Sequence, residues 1–245
     1  MRIIFLGNWS SNIVKGKRYT SFIIDNSIVF DFGPGILESL FDHDVNPLGI
    51  SVVAITHMHL DHFAGLPELL WYRAIYGAQR PLVILGPRKI RESVLMLLEL
   101  LNTPPAFNVS AEYVEDDSFE TVVNGRKLLI EPFRAEHIIP DNGYRVEYGD
   151  TLLFYSGDTA YSKSVVKAAE DVDYLIHEMT YTDDKDAEAR FWKHSTYSDV
   201  MRVFHESRAR HLVPVHLSIY TEPLARELAQ RQRGIIIYPE GTLVV

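Results

Sequence analysis

Residues 57–62 read His-Met-His-Leu-Asp-His, which places four potential metal ligands within six positions. The stretch follows residues 50–55, a near-continuous apolar run typical of a strand buried on both faces. It precedes residues 62–76, in which apolar side chains recur at helical spacing behind a proline in the first turn. The pattern predicts a strand, a ligand-rich turn and a helix, and α/β folds place their sites at such strand ends.

Two points of ligation are predicted inside this turn. In an extended conformation His57 and His59 point to the same side, whereas Asp61 and His62 begin the helix and face a second point. This arrangement suits two metal ions. The alternative, a loop of three surface histidines, is disfavoured because the block ends a buried strand.

Three more candidate ligands follow other predicted strands by a few residues: His137, Asp158 and His216. Taken singly, each histidine is more often an ordinary partly buried residue, and the aspartate a turn residue. Together with the dense block they acquire a shared role, because buried charges need partners. The chain contains no cysteine, so histidine and carboxylate are the only strong metal ligands available.

The composition is that of a globular protein. The chain has 245 residues, 47% hydrophobic and 23% charged, which excludes a disordered chain and favours a single domain over residues 1–245. Its apolar runs fall far short of the roughly 18 residues of a membrane span, and residues 1–9 lack a signal-peptide pattern. We therefore expect a cytoplasmic protein that binds no membrane. The net charge of −9 argues against a broad, non-specific grip on nucleic acid.

Strand-like and helix-like segments alternate in two similar rounds. Short apolar or β-branched segments predict strands at residues 2–6, 21–24, 28–32, 50–55, 82–85, 127–136, 143–148, 152–155, 173–176 and 212–215. Helical spacing and capping residues predict helices at 62–76, 89–101, 164–170, 197–207 and 223–233. Residues 234–238 and 242–245 are expected to close the chain as a hairpin. Strand clusters followed by helices, twice over, predict two packed sheets with helices on their outer faces.

With these residues in place, the chain resembles the metallo-β-lactamase superfamily, whose α/β fold is a four-layer αββα sandwich of two mixed sheets with a binuclear zinc site. The family's motif of two alternating histidines followed by Asp-His matches residues 57–62, and its three later ligands match the three later candidates in order. The resemblance implies two Zn²⁺ ions per chain. One would be held by His57, His59 and His137. The other would be held by Asp61, His62 and His216, with Asp158 and a water bridging the pair.

Further segments are similar to ribonuclease Z, a zinc phosphodiesterase of that superfamily. Shorter matches are Gly65-Leu66-Pro67, Gly86-Pro87 and Gly143-Tyr144-Arg145. More specific are His177-Glu178-Met179-Thr180 and His194-Ser195-Thr196, because in that family the glutamate and the later histidine form a pair beside the metals. The resemblance implies that a metal-bridging hydroxide attacks a phosphodiester, that Asp61 orients it, and that His194, kept protonated by Glu178, protonates the departing oxygen.

One departure concerns the arm with which ribonuclease Z grips transfer RNA. Only 20 residues separate His137 from Asp158, and the predicted hairpin at residues 143–155 uses them, so we expect the exosite arm to be lacking. The natural substrate is left open as an anionic phosphodiester, either RNA or a small nucleotide-like molecule. The resemblance also implies a homodimer.

Two alternative functions are weighed against this one. A hydrolase of the same fold could act on a thioester, a lactone or another carbonyl substrate, but that chemistry does not require the pair of Glu178 and His194. A metal-binding accessory protein without turnover would be signalled by a lost ligand, and none is lost. The ligand set also accepts manganese or iron. The basic loop at residues 15–18 is left without a role, and three histidines match no motif position: His43, His205 and His211.

Overall fold

The structure is a computed structural model that describes residues 1–245. Its thirteen strands are β1 (Arg2–Gly7), β2 (Ser21–Ile24), β3 (Ile28–Phe30), β4 (Val52–Ala54), β5 (Val83–Gly86), β6 (Glu112–Glu115), β7 (Phe119–Val123), β8 (Arg126–Arg134), β9 (Asn142–Tyr148), β10 (Thr151–Tyr155), β11 (Tyr174–Glu178), β12 (His211–Val215) and β13 (Thr242–Val244). Its eight α-helices are α1 (Ile36–Asp42), α2 (Leu60–Phe63), α3 (Leu66–Ile75), α4 (Ile90–Leu100), α5 (Lys163–Ala168), α6 (Asp186–Trp192), α7 (Tyr197–Ser207) and α8 (Glu222–Arg231).

The strands form two mixed sheets. The first has the order β13-β1-β2-β3-β4-β5-β6, and the second has the order β12-β11-β10-β9-β8-β7. Neighbouring strands run parallel from β3 to β6 and from β10 to β12, and the other pairs are antiparallel. Every residue of β3 and β4 is buried, as the continuous apolar runs of these segments predict for strands covered on both faces.

Three apolar clusters separate four layers. One cluster lies between the sheets, where the rings of Phe22 and Phe30 stack at 4.7 Å and Tyr155 meets Phe22 edge-on at 5.2 Å. The second packs the first sheet against α1, α3 and α4, and the third packs the second sheet against α5, α7 and α8. The predicted αββα sandwich is confirmed.

Four strands of the second sheet, β8, β10, β11 and β12, have their carboxyl ends on the same side of the sheet. Strand β9 is antiparallel to both β8 and β10, so β8 points in the same direction as β10, β11 and β12. The residues that follow these strands therefore converge, although they are widely separated in sequence.

The prediction of one continuous helix over residues 62–76 is wrong. The structure has two helices there, α2 and α3. The amide of Gly65 donates to the carbonyl oxygen of Phe32 instead of continuing the helical ladder, and the amide of Phe32 donates to His62. A Cβ at Gly65 would overlap the carbonyl oxygen of Gly33. The helix breaks where a neighbouring segment takes over its hydrogen bonds.

The predicted closing hairpin is also wrong. Residues 242–244 form β13, which pairs antiparallel with β1 at the edge of the first sheet. Ile236 instead bridges Leu212 in β12 of the other sheet. The two apolar segments thus separate, each finding an open strand edge. Sequence patterns also missed β6, β7, α1 and α6.

The hairpin of β9 and β10 agrees with its prediction and turns at Gly149-Asp150. It occupies the sequence between His137 and Asp158, and no additional segment projects there. None of the helices has the length and apolar character needed to span a membrane.

Candidate metal centre

Three histidines and one carboxylate form the first ligand set. His57 Nε2 lies 2.9 Å from His59 Nδ1, which lies 3.3 Å from His137 Nε2. His57 Nε2 is also 3.6 Å from Asp158 Oδ2. The four side chains come from the turn after β4 and from the segments after β8 and β10, and their ligand atoms lie within 4.8 Å of one another.

The second set shares Asp158 with the first. His62 Nε2 lies 3.5 Å from both Asp61 Oδ2 and Asp158 Oδ2. His216 Nε2 lies 3.4 Å from the same two oxygens. All seven residues predicted as ligands are therefore brought together in two groups, with Asp158 between them.

Hydrogen bonds at the other ring nitrogen orient four of the histidines. His57 Nδ1 donates to Asp141 at 2.8 Å, His62 Nδ1 to Asp31 at 2.7 Å, and His137 Nδ1 to the carbonyl of Lys193 at 3.2 Å. His216 Nδ1 donates to Thr180 Oγ1 at 2.7 Å, and that hydroxyl donates to Glu178. Each of these rings thus directs its Nδ1 proton at a neighbouring acceptor and turns Nε2 toward the centre, where the neutral form of the ring offers a lone pair.

Sequence reasoning missed Asp31 and Asp141. Asp31 is fully buried and accepts hydrogen bonds from His62, from the Tyr155 hydroxyl and from the backbone amide of Thr56. An aspartate within the apolar segment 28–32 was a usable signal, because a buried charge requires partners. Asp141 gave none, since Pro140-Asp141-Asn142-Gly143 reads as an ordinary turn.

The donor set fits divalent metal ions. Four buried carboxylates, Asp31, Asp61, Asp141 and Asp158, form no ion pair with a lysine or an arginine. His62 Nε2 and Asp158 Oδ1 are buried and have no hydrogen-bond partner. Tetrahedral ligands about 2.0–2.1 Å from zinc lie about 3.4 Å apart, which matches the spacings of the second set. A cation would supply the missing partner for these groups.

Electrostatics within the cluster distinguish its carboxylates: the pKa values of Asp61 and Asp158 are lowered, whereas burial raises the pKa of Asp141 well above its usual range. Burial alone raises the pKa of Asp158, but the imidazoles of His216 and His62 outweigh this effect and hold that pKa well below its usual range. The backbone is also constrained at the site. Asp31 and His216 have φ angles of 55° and 54°, in a region that costs free energy for residues other than glycine.

Glu178 and His194 form the predicted pair beside the ligands. His194 Nδ1 donates to Glu178 Oε1 at 2.8 Å, and Glu178 also accepts from the amides of Thr159 and Thr180. Burial opposes the charged imidazole, but the Glu178 carboxylate more than compensates and raises the pKa of His194 to about 9. The His194 ring stacks on His216 with centroids 5.4 Å apart.

The backbone holds His194 at this position from both sides. Thr196 begins α7 with a reciprocal capping box to Asp199, and the carbonyl of Lys193 accepts from the ligand-type His137. His194 also lies near Asp158 and His216 in a third group of possible ligands.

The remaining predicted bystanders lie outside the cluster. His43 is half-buried, His205 is exposed, and His211 donates to the carbonyl of Gly234 at the amino end of β12. In the basic loop, Lys17 pairs with Glu222 and Arg18 with Asp42. Lys15 is exposed and has no ion pair.

Comparison with known proteins is consistent with this geometry. Residues 26–217 match the family described as the beta-lactamase superfamily domain. The chain belongs to this superfamily. Within the superfamily it is similar to ribonuclease Z of Metallosphaera sedula, at 26% identity over 254 aligned positions that cover 84% of each chain. Human tRNase Z, short form, has the same fold, with a TM-score of 0.79 at 23% identity over 100% of this chain and 99% of the human one. The predicted resemblance is confirmed.

A third comparison shows what this superfamily member lacks. Ribonuclease Z of Saccharolobus solfataricus is 24% identical, and the alignment covers 99% of this chain and 96% of the relative. The alignment runs over 293 positions, whereas this chain has 245 residues. About 50 positions of the relative therefore have no counterpart here.

Proposed function

We propose that this protein is a binuclear zinc-dependent phosphodiesterase similar to ribonuclease Z, acting on RNA or a small nucleotide-like phosphodiester. The observation that carries the proposal is the hydrogen-bonded pair of Glu178 and His194 directly beside both ligand sets. A phosphodiester with an alkoxide leaving group needs a proton donor at the departing oxygen. His194 supplies one, with Nδ1 fixed by Glu178 and the rest of the ring lining the cleft above the ligands.

The ligand residues would be those that the structure groups together. His57, His59 and His137 would hold one ion, Asp61, His62 and His216 the second, and Asp158 both. Two bound zinc ions would supply a bridging water of lowered pKa as nucleophile and would stabilise charge on the phosphoryl oxygens.

The chain's own groups then complete the chemistry. Asp61 uses Oδ2 toward His62 and His216, which leaves Oδ1 to orient the attacking water. Buried hydrogen bonds from Thr159 and Thr180 hold the Glu178 carboxylate in place. The carboxylate in turn keeps the His194 ring aligned. The proton on Nε2 of His194 passes to the leaving oxygen as the bond between phosphorus and that oxygen breaks.

The Glu178–His194 pair favours a phosphodiester over a carbonyl substrate. Hydrolysis of a thioester or lactone by bound hydroxide does not require a separately held, protonated imidazole at the leaving group. The buried carboxylate of Glu178 accepts four hydrogen bonds, one of them from His194, and so provides a buried counter-charge for a protonated imidazole at the cleft.

The test is a substrate panel on the zinc-loaded enzyme, with metal content measured in parallel. We expect two zinc ions per chain, and hydrolysis of a chromogenic phosphodiester faster than that of a lactone or a thioester. Cyclic nucleotides and a precursor transfer RNA in the same panel define the size of the natural substrate. A preference for the thioester or the lactone would overturn the proposal, and manganese and iron loading would show whether zinc is the most active metal.

We also propose that residues 1–245 form one domain, because both sheets contribute ligands to the same centre. Homodimerisation and a cytoplasmic location stay predictions. Light scattering of the purified protein tests the first, and cell fractionation tests the second.

A further inference from the structure

The cleft above the candidate metal centre has an apolar and aromatic wall. It has a volume of about 420 Å³ and is lined by His59, Asp61, Asp158 and His194 at its floor. Its walls include Leu60, Ile138, Tyr181 and Trp192. This volume lies in the range of small-molecule sites, about 300–1,000 Å³.

Trp192 is held close to the proton donor. It ends α6 two positions before His194, and the intervening Lys193 turns the chain in a left-handed conformation with φ 53°. The Lys193 carbonyl accepts from His137, and its ammonium pairs with Glu136. Trp192 is nevertheless 48% exposed, with the ring of Phe191 perpendicular to its own at 4.9 Å, so part of the indole is accessible from the cleft.

Tyr181 is held in place by backbone hydrogen bonds to the segment that follows His194. Its amide donates to Ser195, its carbonyl accepts from Tyr197, and its ring lies 6.0 Å from that of His194. Tyr181 thus lies beside the proton donor, and Trp192 lines the same cleft. Such rings offer large contact area for a planar ligand at small entropic cost.

Cations are missing from this wall. No lysine or arginine lines the cleft. On the adjoining segments, Lys185 pairs with Glu188 and Arg190 pairs with Asp186, while Lys15 and Arg134 are exposed and form no ion pair. A polynucleotide that gained affinity from its successive phosphates would need free lysines and arginines. The charge pattern favours a ligand with one anionic group at the metal centre and an uncharged ring beside it.

We propose that Trp192, supported by Tyr181, forms a subsite for one nucleobase of a small nucleotide phosphodiester, and that the enzyme gains little from nucleotides beyond a dinucleotide. This inference rests on the proposed function. It narrows the substrate from RNA in general to a dinucleotide or a comparable small nucleotide diester.

Binding of two matched ligands tests the subsite. Adenosine 5′-monophosphate and ribose 5-phosphate share the phosphate and the sugar and differ in the base. We expect Trp192→Ala to weaken adenosine 5′-monophosphate about 10- to 100-fold by calorimetry, in line with the loss of one base stack. Ribose 5-phosphate should change less than about twofold, Trp192→Phe should retain most of the affinity, and Phe41→Ala, a distant exposed aromatic on α1, should match the wild type.

Kinetics test the size of the substrate. The zinc-loaded enzyme should show kcat/KM values for adenylyl-adenosine and for a twelve-residue single-stranded RNA that agree within about threefold. A large advantage for the longer RNA would overturn the proposal, as would equal losses of both ligands in Trp192→Ala. If no phosphodiester is hydrolysed while base-dependent binding still requires Trp192, the proposed function fails and the subsite stands.

Discussion

Replacing Asp31 with asparagine should selectively weaken one of the two candidate metal sites. The carboxylate is buried, and Oδ1 accepts from the Thr56 amide at 2.7 Å while Oδ2 accepts from His62 Nδ1 and the Tyr155 hydroxyl, each at 2.7 Å. Asparagine has nearly the same shape. Because the Thr56 amide still needs an acceptor at Oδ1, the new NH₂ group must face His62.

The consequence for His62 follows from its tautomer. Facing a donor, Nδ1 becomes an acceptor, and the ring proton moves to Nε2. That nitrogen is the atom 3.5 Å from Asp61 and Asp158, and a protonated nitrogen cannot ligate. Losing such an orienting partner typically costs 10- to 100-fold in metal affinity, which corresponds to about 1.4–2.7 kcal/mol.

Asp141→Ala is the corresponding variant at the other ligand set, because it removes the acceptor of His57 Nδ1; asparagine could keep an oxygen there, since only Oδ2 of Asp141 is engaged. Chelator competition with metal analysis should show one weakened and one retained ion in each single variant. The double variant should lose affinity for both ions. Thermal unfolding of the metal-free proteins controls for loss of fold.

Two results would refute the reasoning. One is an Asp31→Asn protein that binds both ions with wild-type affinity and unfolds normally, because His62 would then not depend on this carboxylate. The other is an equal weakening of both ions in each single variant, which would show that the carboxylates act on the fold as a whole.

Four further predictions follow from the same contacts. Asp158→Ala should lose more metal than substitution of any other single ligand, because it serves both sets, and a stoichiometry of one ion in the loaded wild type would refute this. His194→Ala should keep both ions and lose about 10²- to 10⁴-fold in kcat on a diester with an alkoxide leaving group; its loss with nitrophenolate should be much smaller, and equal losses would indicate a binding role. Gly65→Ala should lower the free energy of unfolding by about 1–3 kcal/mol because of the overlap with Gly33, whereas Gly49→Ala, with only ordinary contact at its Cβ, is the control. Asparagine should replace His43, His205 or His211 with little change in turnover. A hundredfold drop in any correctly folded variant would contradict this.

Local pattern determined the parts of this protein that depend on neighbours in the chain. The block at residues 57–62 is dense enough to signal ligation by itself, and the apolar runs before the later ligands mark buried strands through β-branched, continuous sequence. The turn at Gly149-Asp150 and the cap at Thr196 are likewise chemistry of a few adjacent residues. The resemblance to a known family then indicated that these separate segments contribute ligands to one site.

Tertiary structure alone decided which distant groups meet. Asp31 lies 31 positions from the histidine that it orients, and no periodicity in sequence joins them. The two apolar segments near the carboxyl end read as a hairpin, yet each pairs with a different sheet, because an open strand edge elsewhere satisfied its backbone better. Trp192 ends α6, a helix that sequence patterns missed, and only the structure shows that its side chain is exposed in the cleft that His194 also lines. Hydrogen-bond partners and cleft walls are chosen by packing across layers, and that choice is not encoded in the spacing of any one segment.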